Sequence, residues 1–434
     1  MEEILALASK VADQAEVYLA SAKETPVGFE ANRLKQIRTR QSTVVALRLI
    51  KEGKLGFAAS SRLDNPRGLV EAALETTQFG ALARFELPSA ADYPFVNIYD
   101  PKVEKVSLEQ MVQIGQSLID KVRAHTPELL CDARVNKAIV SVQIANSNGG
   151  RSSYKKSLFS IGLDGNLIRG TDILFVEETK NSCHPVLEYY DLAESVIRQL
   201  ELAKSLAKIN SGNFPVIFTP KGVAHGLITP LAVAFNGKLV LQGASPLGQR
   251  KGEYIFDPRF SLWDDATQPY RPHSSPCDDE GIPCHRLPLV ERGTVSHFFY
   301  DLQTAGLANT QSTGHGSRAA GGLPIPMASA LIVDEGDMSF ENMVSDMKEG
   351  LVVEALMGAE QGNILAGDFS GNVLLGYKVE RGEFVGRVKD TMVSGNIYSA
   401  LRQLAALGNK SVWVGAALKT PPLCFPSLAV ASKG

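Results

Sequence analysis

Apolar residues near the N-terminus recur every three or four positions. Ile4, Ala8 and Val11 fall on one helical face and the pattern continues to Leu19, which predicts an amphipathic helix over roughly residues 2–20. The pattern then changes to β-like runs at 36–50 and 55–60. The intervening Lys51-Glu52-Gly53-Lys54 has a glycine where a tight turn needs positive φ, and it therefore predicts a hairpin.

Further helices and strands follow from capping and alternation signals. An Asn-Pro pair at 65–66 predicts a helix to about Gln78, and the capping box Ser107-Leu108-Glu109-Gln110 predicts another to about Arg123. A second capping box at 191–194 predicts a helix to about Lys208. Strands are expected at 138–145, 157–163 and 168–177, separated by turns at 148–149 and 164–166.

The second half of the chain reads mostly as β-structure. The polar run 210–213 marks the predicted domain boundary, and a short helix is expected over 222–235. Charged turns centred on Gly293 and Gly382 each predict a hairpin. We therefore predict an α+β fold with a two-domain protomer. Residues 1–210 would form an N-terminal α/β layered domain with hairpins and helices, and residues 211–434 a mostly antiparallel β domain.

Composition narrows the functional classes. The 434 residues exceed what one core usually organises, which agrees with two domains. A net charge of −3 and a pI near 6.2 argue against a nucleic-acid-binding protein. No apolar run approaches the length of about 20 residues that a membrane span needs. The five scattered cysteines do not resemble a disulfide framework, so we expect a cytoplasmic protein.

The most unusual local feature is a run of three carboxylates, Asp278, Asp279 and Glu280, followed by Gly281. Adjacent like charges raise each other's pKa, so such a run needs solvent, hydrogen-bond donors or cations around it. Three interpretations remain open. The run forms a structural turn that holds backbone N–H groups or a facing arginine, it lines a substrate cleft, or it binds metal.

A possible metal cluster lies in the same region. His273, Cys277, Cys284 and His285 have the residue types of a four-ligand zinc site. Only His273 and Cys277 have a plausible ligand spacing. Cys284 and His285 are adjacent in the chain, which makes it difficult for both to coordinate one tetrahedral metal ion. We favour ordinary turn and strand residues, and the metal site stays open as the alternative.

A glycine-rich segment follows at 314–322. It fits neither a phosphate-binding loop nor a dinucleotide turn, since Pro324 and Pro326 prevent a following helix. We expect a loop in which His315 and Arg318 either have a structural role or contact a peptide or partner.

Several of these motifs, in this order, resemble the TldD/PmbA family, which is associated with metallopeptidase activity. The resemblance rests on the hairpin ending at 53–58, the Asn-Pro helix, the Asp-Asp-Glu-Gly block and the segment 367–372. The family implies a two-domain α+β protomer, a dimer, and a cleft to which Asp278, Asp279, Glu280, His315 and Arg318 are candidates. Members are also named modulators of DNA gyrase.

Metal-binding members carry a His-Glu-x-x-x-His helix, and none of the seven histidines here is followed by glutamate. We place the vacant motif positions at Gly226, Leu227 and Leu231, which cannot hold zinc or act as a base. His225 beside them is interpreted as a helix-surface or capping residue. We therefore assign no catalytic residue and no cofactor to this chain, and its status as an enzyme stays open.

The resemblance then implies a PmbA/TldE-type subunit that pairs with a TldD-type metallopeptidase subunit carrying zinc. The complex would process small or unfolded peptides, and the isolated chain would form a homodimer. Two alternatives stay open: a divergent metallopeptidase acting alone, and a non-enzymatic adaptor that binds peptides or proteins.

Overall fold

The computed structural model describes residues 1–433. The first part of the chain contains, in order, α1 (Glu2–Ala8), β1 (Gln14–Glu30), β2 (Arg33–Ile37), β3 (Arg40–Lys51), β4 (Lys54–Ser60), α2 (Pro66–Thr76), α3 (Lys102–Lys105), α4 (Leu108–His125), β5 (Leu130–Asn146), β6 (Arg151–Arg169), β7 (Asp172–Ser182) and α5 (Tyr190–Leu202).

The remaining elements are β8 (Gly212–Phe218), α6 (Pro220–Gly226), α7 (Ile228–Ala234), α8 (Gly237–Leu241), β9 (Leu262–Asp265), β10 (Arg286–Glu291), β11 (Thr294–Val295), α9 (Leu302–Leu307), β12 (Gly316–Ser317), β13 (Ile325–Pro326), β14 (Leu331–Val333), α10 (Phe340–Ser345), β15 (Glu349–Met357), β16 (Asp368–Glu380), β17 (Glu383–Arg387), β18 (Thr391–Asn396), α11 (Ile397–Arg402), β19 (Ala406–Leu407), β20 (Val412–Val414), β21 (Leu418–Thr420) and β22 (Leu423–Ser432).

The N-terminal sheet is antiparallel throughout, in the order β4-β3-β1-β5-β6-β7, with β2 on the end of β1. Side chains of β1 alternate between the two faces of the sheet. Val17 and Phe29 pack under the helices, whereas Glu16 and Tyr18 face a segment from the second half of the chain. The sheet is therefore covered on both sides.

The second half forms two larger sheets. Strands β15-β8-β22-β18-β16 follow one another in pairs, and β16 pairs again with β15, so this sheet closes on itself, with β17 and β19 attached. The other sheet has the order β11-β10-β9-β14-β21-β20. Among the strand pairs of residues 1–433, β8–β15 and β14–β21 are the parallel ones. The α+β fold with a mostly antiparallel C-terminal half is confirmed.

One hydrophobic core crosses the sequence position of the predicted boundary. Leu192, Val196 and Leu200 of α5 share a buried cluster with Val352 of β15 and Tyr377 of β16. A second cluster, built from residues 209–430, lies within the C-terminal half. The two halves are thus joined by apolar packing as well as by the chain.

The local turn signals were largely confirmed. Lys51 pairs with Lys54, and Gly53 has φ of 74° as the hairpin requires. The capping box at Ser107 forms, with the Gln110 N–H donating to the Ser107 hydroxyl. The turns at Gly293 and Gly382 also join paired strands.

Three expectations were wrong. The N-terminal helix ends at Ala8, and the continuation of its pattern belongs to β1, which is held between β3 and β5. Residues 164–166 lie inside β6, and the chain turns further on, at Gly170. The capping box at 191–194 does not form, since the Asp191 carboxylate pairs with Lys180.

The connector between α2 and α3 packs against α9 without room for a side chain at Gly306. A Cβ there would lie 1.7 Å from the Arg84 carbonyl oxygen. Alanine in place of a helical glycine normally stabilises by about 1 kcal/mol. We expect the opposite for Gly306→Ala, a loss of about 1–3 kcal/mol in the free energy of unfolding, measured by urea denaturation.

The matched control is Gly162→Ala, where the nearest atom outside the adjoining residues is 3.6 Å from the new Cβ. Stability of Gly306→Ala equal to or above that of the parent chain would contradict the close approach.

Candidate functional site

The carboxylate run lies in a buried turn where the second half of the chain meets the N-terminal sheet. Asp278 Oδ1 accepts hydrogen bonds from the N–H groups of Glu280 and Ile282, both at 2.9 Å. Its Oδ2 accepts a bond of 2.8 Å from the Gly316 N–H. Gly281 then turns the chain with φ of 76°. Asp278 therefore holds its own turn and ties it to β12.

Glu280 is part of a buried ion cluster that joins the two halves. Arg48 Nη1 lies 2.5 Å from Glu280 Oε1, and Arg48 Nη2 lies 3.0 Å from Glu16 Oε2. The three side chains are at most 3% exposed. Gly316 leaves space for the Glu280 carboxylate, because a Cβ there would lie 2.5 Å from Oε2.

Arg318 completes this cluster from the glycine-rich loop. Its guanidinium pairs with Glu16, and its backbone N–H donates 2.8 Å to Asp279 Oδ2. Burial lowers the pKa of Arg318 and raises the pKa values of Asp279 and Glu280. For Arg48, the neighbouring Glu16 and Glu280 more than offset burial and raise its pKa. The Glu16–Arg48–Glu280–Arg318 cluster is hereafter called the inter-half cluster.

His315 lies beside this cluster and faces the buried carboxylate of Asp264. Its Nε2 is 3.5 Å from Asp264 Oδ1, its Nδ1 is 2.7 Å from the Thr313 carbonyl oxygen, and its ring stacks on Phe299. Burial alone would raise the pKa of Asp264, but the bonds from His315 and Ser329 hold it below its ordinary value.

The structure thus brings the five cleft candidates together, and Asp278, Glu280, His315 and Arg318 are each less than a tenth exposed. In the chain alone these side chains hold one another and the backbone. Their assignment to a substrate cleft stays a prediction.

The four candidate metal ligands have separate surroundings. Cys277 is buried with Sγ 3.1 Å from the Ser152 hydroxyl, and burial raises its pKa to about 12. Burial also raises the pKa of Cys284, while His273 and His285 are exposed. Metal-bound cysteine is a thiolate, which these environments disfavour. Among residues 1–433, no three His, Cys, Asp or Glu side chains are grouped so that they could hold a metal ion.

A larger opening lies elsewhere between the two halves. This central cavity has a volume of about 660 Å³ and is walled by β7 and α5 on one side and by α6, β15, β16 and β20 on the other. A smaller cavity of about 370 Å³ shares Glu177, Gln199, Lys221 and Glu354 with it. Together they form an extended concave surface between the two halves, of the size that ligand sites have.

Helix α6 enters the central cavity with its first turn. Thr219 caps it by accepting from the Gly222 N–H at 3.3 Å, and Pro220 occupies the first helical position. Gly222 lets the helix approach β15, since a Cβ would lie 2.3 Å from the Val353 carbonyl oxygen. The helix consequently presents Lys221, Ala224 and His225 to the cavity.

Lys221 is surrounded by oxygen atoms. Its Nζ lies 3.0 Å from the Glu177 carbonyl oxygen, 3.3 Å from Glu178 Oε2 and 3.7 Å from Glu354 Oε2. His225 Nε2 is 3.4 Å from Glu177 Oε1. An ammonium group is therefore shared by two carboxylates and a carbonyl oxygen at the first turn of the helix.

The predicted vacant motif positions face away from this cavity. Gly226, Leu227 and Leu231 are buried, and both leucines belong to the C-terminal hydrophobic core. A second register of the same motif places its final histidine on His225, its glutamate on Lys221 and its first histidine on Pro220. That register puts all three positions on the cavity wall, and the Pro-Lys-x-x-x-His spacing was the sequence signal for it. In either register the donor set does not fit zinc.

Fold and cavity together define an α+β protein of two joined halves with a large inter-half cavity. Residues 211–432 match the PmbA/TldA metallopeptidase C-terminal domain, and residues 15–77 match PmbA/TldA metallopeptidase domain 1. The chain belongs to the PmbA/TldD metallopeptidase family, on its PmbA/TldE side.

Relatives align along nearly the whole chain. An uncharacterized protein of Methanocaldococcus jannaschii is 26% identical, over 94% of this chain and 95% of its own length. Metalloprotease PmbA of Escherichia coli O157:H7 is also 26% identical, over 93% and 89%. The structure of TldE from Thermococcus kodakarensis covers 100% of both chains with a TM-score of 0.91 at 20% identity, which shows the shared fold.

The inter-half cluster generates a stability prediction. Arg48→Met leaves the Glu16 and Glu280 carboxylates buried without their shared partner, so we expect a loss of about 3–5 kcal/mol in the free energy of unfolding. The control is Arg62→Met, which breaks the exposed Arg62–Asp64 pair and should cause no measurable loss. Equal stability of both variants in urea denaturation would contradict the role given to Arg48.

A pH prediction follows from Asp278. Burial and the nearby Glu280 hold its pKa well above the usual range. A carboxyl whose pKa is raised on folding contributes stability below its unfolded pKa of about 4 and loses that contribution as pH rises through the folded pKa. Asp278→Asn should therefore lower the free energy of unfolding most near pH 4, and the loss relative to the parent chain should shrink as pH increases.

The exposed Asp64 provides the control, because its bond with Arg62 lowers its pKa. Any loss in the free energy of unfolding caused by Asp64→Asn should instead shrink as pH falls. Unfolding free energies measured from about pH 4 to pH 8 distinguish the two trends. A deficit of Asp278→Asn that grows with pH would show that Asp278 is stabilised as the anion.

Proposed function

We propose that this chain is the PmbA/TldE-type subunit of a TldD/TldE metallopeptidase complex that processes small or unfolded peptides. The zinc of that complex belongs to a TldD-type partner, where it supplies a Lewis acid and an activated water. The observation that carries the proposal is the composition of α6 at the cavity wall. At the places of two metal ligands and a base it offers proline, one histidine and a lysine already paired with carboxylates.

The cavity supports a role in holding peptide. Its volume of about 660 Å³ accommodates several residues, and its wall combines aromatic and charged side chains. Strand β20 lies at the end of its sheet and also lines the cavity through residues 412–415. The unpaired backbone groups of an edge strand can bind an extended peptide by strand addition.

The test is reconstitution of peptidase activity from purified components. A TldD-type protein, this chain and an equimolar mixture are each assayed with a fluorogenic unfolded peptide. We expect EDTA-sensitive cleavage by the mixture, restored by added zinc, and no cleavage by this chain alone. Activity of the mixture should exceed that of the partner alone at least about tenfold, because a completed cleft contributes to positioning the substrate.

Two results would overturn the proposal. Cleavage by the isolated chain would favour a metallopeptidase acting alone. A mixture no more active than the partner, together with tight peptide binding by this chain, would favour a non-enzymatic adaptor.

A further inference from the structure

The charged groups at the centre of the cavity already have partners within the chain. Lys221 is shared by Glu178 and Glu354, and His225 faces Glu177. Thr219 donates a further hydrogen bond of 3.2 Å to Glu354. Each of these groups already has a contact within the chain, whereas other polar groups of the wall have none.

Two of those groups are cations on opposite sides of the cavity. Arg198 projects from α5 and Lys410 precedes β20, and both side chains are exposed. Neither makes a hydrogen bond or ion pair with any residue in 1–433. Glu341 is the one anion of the wall that likewise makes no hydrogen bond or ion pair with any residue in 1–433. Two cations and one anion of the wall are therefore without a hydrogen bond or ion pair within the described chain.

A further unpartnered group is the Tyr377 hydroxyl. Tyr377 is fully buried and lines the cavity, yet its hydroxyl has no hydrogen-bond partner in the described chain. Burial and Glu354 raise its pKa, which keeps the hydroxyl protonated, while Arg198 acts on it in the opposite direction. Arg198 and this donor therefore lie within electrostatic reach of each other. A buried donor without an acceptor is costly unless a ligand satisfies it.

The surrounding wall is aromatic. Phe340, Phe384 and Trp413 line the same cavity, and the Phe384 ring packs edge-on against Tyr377 with centroids 5.8 Å apart. Such a wall favours an apolar side chain next to whatever group meets the cations.

We propose that the central cavity binds the terminal carboxylate of a peptide whose last side chain is apolar. The Arg198 guanidinium pairs with the carboxylate, the Tyr377 hydroxyl donates a hydrogen bond to it, and Lys410 adds positive charge at the rim. The apolar side chain packs against Phe384 and Trp413. This inference rests on the proposed function and specifies which end of the peptide this subunit holds.

Binding of three N-acetylated peptides to the full chain, measured by calorimetry, tests the proposal. The peptides are Ala-Ala-Phe with a free terminal carboxylate, the same peptide as its terminal amide, and Ala-Glu-Phe amide. We expect the free acid to bind at least about tenfold more tightly than its amide, since an arginine–carboxylate pair is a strong charge-assisted contact. If Ala-Glu-Phe amide binds as tightly as the free acid, the cavity recognises an acidic side chain equally well. That result would overturn the assignment of the site to a terminal carboxylate.

Variants identify the groups responsible. Arg198→Gln should abolish the preference for the free acid, and Arg67→Gln, an exposed arginine on α2, should leave it unchanged. Tyr377→Phe should weaken the free acid several-fold without lowering the stability of the chain, because the hydroxyl has no partner to lose. A structural role for this hydroxyl would instead lower stability.

Equal affinity for free acid and amide, no binding of either, or an unaltered preference in Arg198→Gln would overturn the proposal. Each of these outcomes leaves the reconstituted peptidase assay free to succeed. Failure of carboxylate recognition is thereby distinguished from failure of the proposed subunit function.

Discussion

The structure depends on a small set of buried charges at the contact between its two halves. Glu16 and Arg48 come from neighbouring strands of the N-terminal sheet, whereas Glu280 and Arg318 come from loops of the second half. Charges removed from water are costly unless each finds a partner. The pairing is complete only when both halves are docked in one register, so the cluster makes the relative placement of the halves specific.

That placement in turn creates the central cavity. The cavity exists because α5 and β7 of the first half face α6, β15 and β20 of the second. The shared apolar core around α5 and Tyr377 fixes the same arrangement from another side. On the cavity helix of this chain, Lys221 is shared by the carboxylates of Glu178 and Glu354. This arrangement is the basis of our proposal that the chain holds substrate while a partner carries the metal.

Local signals in the sequence predicted the local structure well. The Gly53 hairpin, the Ser107 capping box and the Gly382 turn depend on a few adjacent residues, and all three were confirmed. The N-terminal helix was overextended because Ala15 and Leu19 continue a helical spacing by coincidence. Pairing with β3 and β5 on either side decides the strand there, and that pairing is not encoded locally.

The sites were harder to predict for the same reason. Arg48 and Glu280 are separated by 232 residues, so the facing arginine considered for the carboxylate run could not be identified by position. The cavity groups Arg198 and Tyr377 belong to no recognisable sequence motif. The register of the motif on α6 depends on which face of the helix meets the cavity, which only the packing of Gly222 on β15 reveals.

The central claim is that this chain carries no catalytic metal of its own. The most direct measurement is the zinc content of the full chain purified from metal-replete medium, determined by elemental analysis. The account predicts less than about a tenth of an equivalent per protomer, because no donor set for a tetrahedral site is assembled in the described residues. Close to one equivalent, retained after extensive dialysis, would contradict it.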